Sequence, residues 1–328
     1  MSPASSDALT VGILSLGDMG AGIARLLVDS GFSVVTNCSG RSEETVRRAR
    51  DAGVRVVSSD LELVQQSAVI LSVVPPRDAE ATAQRVIDAL SEGSKDREPL
   101  FFVELNAVSP STCKEIRDLF DRAQVPARFV DGCILGAPPS RKAGAGPGSD
   151  TDSAWKRPSI PVSGPHEPQS MPGGERLASA LNMRRISSEV GAASGLKMCF
   201  AALNKGYTAI ATQAFTTAHR LGVAGELRRE LAAMAPAKLK SAECGVPDMA
   251  PKAYRWVREM EEIAETMSGE GGWGEGMFRG AAAVYSAVAE DEILGAEKVG
   301  SRTRGETLEE VAAIMADSLS RRGQTGRE

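Results

Sequence analysis

Two stretches of this 328-residue chain combine residue types and spacing that could do chemistry. Gly191-Ala-Ala-Ser-Gly-Leu-Lys-Met198 places one lysine where a long helical pattern begins. A helix lysine is ordinarily a solvated surface residue. Lys197, however, is flanked by Gly195, Leu196, Met198 and Phe200 at the junction of two halves of different character, which reads as a buried amine. Burial disfavours the charged form, so such an amine can titrate closer to neutral pH and exchange protons with a bound molecule. Far upstream, Val11-Gly-Ile-Leu-Ser-Leu-Gly-Asp-Met-Gly-Ala21 runs from an apolar segment through glycines into a helical pattern. That is the layout of a phosphate-binding turn, in which glycines allow a tight turn, close backbone approach and helix–strand packing.

The three fingerprint positions of that turn are Ser15, Gly17 and Gly20, the first having departed from glycine. The backbone amides of Leu16, Gly17, Asp18, Met19 and Gly20 would face a pyrophosphate at a helix N-terminus. A dinucleotide is therefore expected. An NAD site places an acid about twenty residues beyond the turn, on the ribose hydroxyls. Here that place is Asn37, and Asn37-Cys-Ser-Gly-Arg-Ser42 holds no acid before Glu43. Arg41 can pair with a 2′-phosphate, and Asn37 and Ser42 can donate hydrogen bonds to it, so NADP(H) is favoured. Ser72-Val-Val-Pro-Pro76, with Val74 and Pro75, and Asn106-Ala-Val-Ser-Pro110 follow two further strand patterns. Open α/β sheets bind ligands along that edge, which adds Val74, Pro75 and Asn106 as candidate cofactor contacts.

The elements that must position these residues alternate. Short apolar runs at 10–16, 32–37, 54–57, 67–74, 100–105 and 128–131 are separated by helical or loop segments, with helices at 21–31 and 43–52. Alternation of this kind implies a parallel, doubly wound sheet, an α/β Rossmann domain. Residues 158–164 could add a late edge strand. Residues 140–157, rich in glycine and polar side chains, read as a flexible insertion. From about 190 the pattern becomes all-helical, with one long helix over 194–221 and others at 226–242, 251–267, 278–290 and 307–321. The expected organisation is a cofactor domain over 1–190 and a helical substrate and dimerisation domain over 191–328.

Composition narrows the function classes. The chain carries 38 basic and 43 acidic residues, a net charge of −5, with no basic excess to suggest nucleic acid. Two histidines, His166 and His219, lie far apart without metal-ligand spacing, so no metal site is expected. Five cysteines without a CxxC pair fit a reduced compartment. No signal-peptide pattern and no long apolar run is visible, so a cytoplasmic protein away from membranes is expected.

With these residues in hand, the chain resembles the β-hydroxyacid dehydrogenase and 6-phosphogluconate dehydrogenase superfamily over nearly its whole length. The family's interdomain motif, Gly-x-Gly-x-x-x-Lys with an asparagine one turn later, meets Gly191, Ala193, Lys197 and Ala201 here. The resemblance implies that Lys197 acts in catalysis at a domain cleft, without its usual asparagine partner. Asp131-Gly-Cys-Ile-Leu-Gly-Ala-Pro-Pro139 occupies the place of the family's substrate loop, with Leu135 where a serine is usual. Gly136 and Ala137 could still offer amides to a carboxylate. Asn204 and Lys205 lie further along the Lys197 helix, Asn204 roughly 10 Å along the axis, and could grip a distal anion. Lys197-Met-Cys-Phe-Ala-Ala-Leu-Asn-Lys-Gly206 and Pro251–Ile263 resemble a phosphogluconate dehydrogenase-like C-terminal subgroup.

The expected function is hydride transfer between nicotinamide and a hydroxyl- or carbonyl-bearing carbon of a small, anionic substrate, Lys197 being the general acid–base. Two rivals remain, an imine reductase on the same scaffold and a catalytically inactive NADP-binding sensor. A homodimer is expected, because short helices give little enclosure to apolar faces around Trp256, Trp273 and Phe278.

Overall fold

The computed structural model describes residues 9–94, 96–144, 154–171 and 173–325. In chain order its elements are β1 (Thr10–Leu14), α1 (Asp18–Asp29), β2 (Ser33–Asn37), α2 (Glu43–Asp51), β3 (Arg55–Val57), α3 (Asp60–Gln66) and β4 (Val69–Ser72). Then come α4 (Ala79–Glu92), β5 (Leu100–Glu104), α5 (Pro110–Ala123), β6 (Ala127–Gly132), β7 (Ser140–Arg141), β8 (Trp155–Lys156), β9 (Ile160–Ser163), α6 (Gly174–Leu181) and β10 (Met183–Ser187). The remainder is helical: α7 (Ala192–Arg220), α8 (Ala224–Met234), α9 (Pro236–Met249), α10 (Ala253–Gly269), α11 (Gly276–Ala289) and α12 (Leu308–Thr325).

Eight strands form one sheet in the order β10-β9-β6-β5-β4-β1-β2-β3. The run β3-β2-β1-β4-β5-β6 is parallel throughout and is the mononucleotide-pair order of a Rossmann sheet. Its strands are continuous apolar runs because helices cover both faces. Side chains alternate between the two cores. Ile13, Leu71, Phe101 and Val103 face one, and Leu14, Ile70, Leu100 and Phe102 face the other. The strand order reverses between β1 and β4, so a crevice opens at their carboxyl ends.

Two features depart from the sequence reading of this sheet. The late strand is not an edge: β9 pairs antiparallel with β6 and parallel with β10. The edge is β10, whose Met183-Arg-Arg-Ile-Ser is too charged to register as an apolar run. Charged residues on an edge strand are the usual guard against pairing with another chain. The 140–157 insertion is also less loop-like than its composition implies. Its two ends pair as the β7–β8 ribbon, Ser140 opposite Lys156 and Arg141 opposite Trp155. Trp155 is buried, Arg141 lies 5.9 Å over its ring, and Arg141 pairs with Asp29 at 2.7 Å. One aromatic and one ion pair anchor the ribbon where glycine content alone suggested none. Residues 145–153 lie outside the described residues.

The chain divides into two compact units that meet at Lys197 and Met198. In the second unit the pattern over 226–242 is two helices, because Pro236 cannot donate to the preceding turn and biases Ala235 away from helix. Ala235 sits at φ −150°, ψ 59°, and Pro236 opens α9 at its first position. Tyr285, Met260, Ile263, Val288 and Val311 are fully enclosed in this unit's core. Trp256 meets Tyr285 edge-on at 5.3 Å.

Candidate functional site

The glycine turn leads from β1 into α1. Gly17 is the N-cap of α1, with no side-chain cap, so the helix begins at Asp18 and its first amides keep no side-chain partner. A Cβ at Gly17 would meet no atom within 4 Å, whereas one at Gly20 would collide with the Ser15 carbonyl oxygen. The first glycine thus leaves room in front of the helix, and the second lets the helix lie against the strand. Leu16 is buried, so only its backbone can serve a ligand, and Asp18 and Met19 lie in the first turn. Beside this turn a cavity of about 190 Å³ is lined by Ser15, Leu16, Asn37, Arg41, Val74 and Arg85, among others. It lies at the β1/β4 reversal.

At the end of β2 the structure brings together some predicted contacts and not others. Arg41 lines the cavity and forms no ion pair among the described residues. Asn37 also lines it, but its Nδ2 donates to Asp60 Oδ1 at 2.7 Å and its Oδ1 accepts from the Ser39 amide at 2.9 Å. Ser42 also has a structural role. It caps α2, its Oγ accepting from the Thr45 amide at 3.3 Å, and Thr45 lines the cavity in its place. The sequence reading missed Asp60 and Arg85. Both come from helices distant in sequence, and no spacing rule points to them.

Val74 lines the cavity, and Pro75 sets the turn after it, its carbonyl accepting from the Asp78 amide at 2.9 Å. Asn106, a candidate cofactor contact, is engaged in the scaffold. It is buried; its Oδ1 accepts from the Val74 amide at 2.5 Å and its Nδ2 donates to Ser72 Oγ at 2.9 Å. Asn106 therefore ties the ends of β4 and β5. Its own amide donates to Glu104 Oε1 at 2.8 Å. Glu104 is fully buried, and its Oε2 has no hydrogen-bond partner among the described residues. Burial pushes its carboxyl up to about 8, and neighbouring Asp131 adds to the rise.

Lys197 is positioned by that aspartate. Asp131 Oδ2 accepts from the amides of Gly191 at 2.8 Å, Ala193 at 3.0 Å and Ser194 at 3.3 Å, and from Ser163 Oγ at 2.7 Å. Ser194 Oγ donates to Asp131 Oδ1 at 2.6 Å. A carboxylate accepting several amides at a helix N-terminus is strongly held, so the first turn of α7 is pinned to the end of β6. Gly191, at φ 102°, makes the turn into the helix, and its Cβ would press on Pro110. This pinning explains why the unit boundary falls at 197 and not at 190. Two turns of helix bring Lys197 beside the loop that follows Asp131, where its Nζ donates to the Ile134 carbonyl at 2.7 Å. Burial holds this ammonium below the ordinary lysine range, against the opposing influence of Cys133. Burial pushes the Cys133 thiol up to about 12 despite that lysine, so it is no nucleophile at neutral pH.

In the same loop Gly136 and Ala137 are exposed, and neither amide has a partner among the described residues. Ala201 is buried and brings no polar group. In the second unit Asn204 folds its amide back onto the Phe200 carbonyl at 2.8 Å. Lys205, the other candidate for a distal anion, pairs with the buried Glu259 and lies 4.6 Å over the Trp256 ring. A buried ion pair of this kind is costly to break, because either partner left alone is an uncompensated charge.

The chain matches known proteins in two segments and in fold. Residues 10–95 match the family described as NADP oxidoreductase coenzyme F420-dependent, and residues 218–288 match a domain of unknown function, DUF1932. An uncharacterized 28.5 kDa protein in a 7S RNA 5′ region of Methanothermus fervidus is 26% identical over 219 residues, covering 67% of this chain and 74% of that one. The Mycobacterium tuberculosis 3-hydroxyisobutyrate dehydrogenase, solved with L-serine, superposes with a TM-score of 0.63 at 18% identity, covering 94% of this chain and 98% of that one. A reductive aminase from Aspergillus terreus, solved with NADPH and ethyl levulinate, gives 0.53 at 17% identity, covering 94% and 98%. Among the described residues no helix is long and apolar enough to cross a membrane. In fold, then, the chain is similar to these proteins: a Rossmann-like N-terminal domain is followed by a helical C-terminal domain that carries the DUF1932 segment.

Proposed function

We propose that the protein is an NADP(H)-dependent oxidoreductase, moving hydride between the nicotinamide and a hydroxyl- or carbonyl-bearing carbon of a small anionic substrate. The observation that carries this reading is Lys197, a lysine held beside the candidate substrate loop with its amine biased toward the neutral form. In the alcohol direction neutral Lys197 accepts the hydroxyl proton; in the reductive direction its ammonium returns it. The Ile134 carbonyl takes one N–H of the amine, which fixes where the remaining valences of Nζ point. The free amides of Gly136 and Ala137 suit a substrate carboxylate. The amides of Leu16 to Gly20 suit the cofactor pyrophosphate, and Arg41 suits the 2′-phosphate. When bound, the cofactor supplies the hydride chemistry, and the protein supplies orientation and proton handling.

The domain roles follow: residues 1–190 hold the cofactor, and 191–328 serve substrate and dimerisation. Five free thiols fit a cytoplasmic setting. Imine reduction is the second reading, favoured by buried Ala201 where the superfamily motif has asparagine.

A substrate panel of hydroxyacids, carbonyls and imines, followed by NADPH absorbance, tests the proposal with Lys197→Met. That variant keeps the aliphatic bulk and removes the exchangeable proton. Turnover should fall roughly 10²–10⁴-fold, with cofactor affinity little changed. Near-normal turnover of Lys197→Met on a good substrate rejects Lys197 as the acid–base and moves the imine reading ahead. No turnover by the wild type of any panel member, despite tight cofactor binding, favours the sensor.

A further inference from the structure

Asp60 is an acid at the carboxyl end of β2 that no local spacing reveals. It belongs to the first turn of α3, yet Asn37 Nδ2 reaches it at 2.7 Å. From α4, Arg85 grips the same carboxylate with Nε on Oδ2 and Nη2 on Oδ1, both at 2.9 Å. Asn37 and Arg85 line the cavity beside the glycine turn; Asp60 is not among the lining residues. The cavity wall thus carries Arg41 and Arg85 as cations, against one acid, Asp78, which faces Arg77 at 3.7 Å.

An unneutralised carboxylate at this end of β2 would accept the ribose hydroxyls of NADH and repel a 2′-phosphate. A guanidinium can hold a carboxylate along one edge and keep its other N–H groups for a phosphate oxygen. We infer that Arg85 is a specificity-determining residue of this site, neutralising Asp60 and forming with Arg41 a two-arginine recess for the 2′-phosphate of NADPH. The inference rests on the NADP(H) reading above. Arg85 is 44% exposed in its side chain, so its influence is screened and should shrink as salt rises.

The test is a fluorescence titration with NADPH and with NADH at low salt, on the full-length wild type, Arg85→Ala, Asp60→Asn and the double variant. Arg85→Ala should weaken NADPH about 10- to 100-fold, the range for a lost charged hydrogen bond, and leave NADH unchanged or tighter. Asp60→Asn should keep NADPH binding. The double variant should regain at least about threefold of the loss, because the carboxylate exposed by Arg85→Ala is gone. Unchanged NADPH binding by Arg85→Ala overturns the inference, as does a double variant no better than Arg85→Ala. If Arg85→Ala does not fold, Arg85→Gln supplies the same comparison. A wild type that favours NADH removes the NADP(H) reading and this inference together. A wild type that favours NADPH, with Arg85 variants unaffected, overturns the inference alone.

Discussion

Arg41 and Glu104 show how differently single residues declare their work. Arg41 was legible in sequence because Asn37 stands where an acid is usual and a cation follows it, and on the cavity wall Arg41 has no ion pair among the described residues. Arg41→Ala should weaken NADPH by roughly 1–3 kcal/mol and barely alter NADH. Equal losses for the two cofactors in a binding titration would show that Arg41 does not read the 2′-phosphate. Glu104 ends β5 inside an apolar run that gave no sign of its role; it is fully buried and its carboxyl rises from 4.5 to about 8. Between those values the folded state binds more protons than the unfolded state. This group's contribution is therefore complete below about 4.5 and lost as pH rises through 8. Glu104→Gln should flatten the decline in stability across that window, by roughly a few kcal/mol in unfolding free energy. Thermal melts from pH 5 to 9 that decline identically in both proteins would contradict a buried neutral acid.

Among the elements, the start of α7 owes most to contacts far along the chain. Its glycines and small residues read as a motif that carries a lysine, and the resemblance supplied the rest. The physical device is the Asp131 carboxylate, which gathers three helix amides and two hydroxyls and so sets the register of Lys197 against Ile134. Asp131→Asn replaces an acceptor-only group with an amide whose NH₂ must face some of those donors. Urea unfolding should register a loss of roughly 2–4 kcal/mol, and hydrogen exchange at 191–194 should accelerate. A change below about 0.5 kcal/mol, the size of an ordinary surface substitution, would remove Asp131 from this role. The Pro236 break and the β7–β8 ribbon belong to the same scale. Proline chemistry explains the first from sequence; the second depends on Trp155 finding a core that only the folded unit provides.

For the whole molecule, the unpartnered apolar surface is the guide. Phe200, Leu203 and Ile210 are exposed along α7 and fall on one helical face, Leu203 with 79% of its surface open. Met234, Trp273 and Met277 are also exposed. Trp256 and Phe278, expected to share this surface, are partly enclosed within the helical unit. Apolar surface of this extent on a single chain commonly marks an interface. Light scattering at micromolar concentration should give about twice the 34.5 kDa chain mass, and Leu203→Glu should shift it toward the monomer. A wild-type mass near that of one chain would contradict the homodimer.

What the sequence determined by itself is the part governed by local rules. Apolar strand runs, glycine where backbone must approach backbone, and the switch to helical periodicity near residue 190 dictate a Rossmann-like sheet followed by helices. They also place Gly17, Gly20, Arg41 and Lys197 at or near the starts of helices. The tertiary structure alone decided which polar groups meet. Asp60, Arg85 and Asn37 converge from three elements. Asn106 turns inward to Ser72 and Val74, and Lys205 closes on Glu259. A side chain's free valence depends on partners far along the chain, and residue spacing carries no record of that distance.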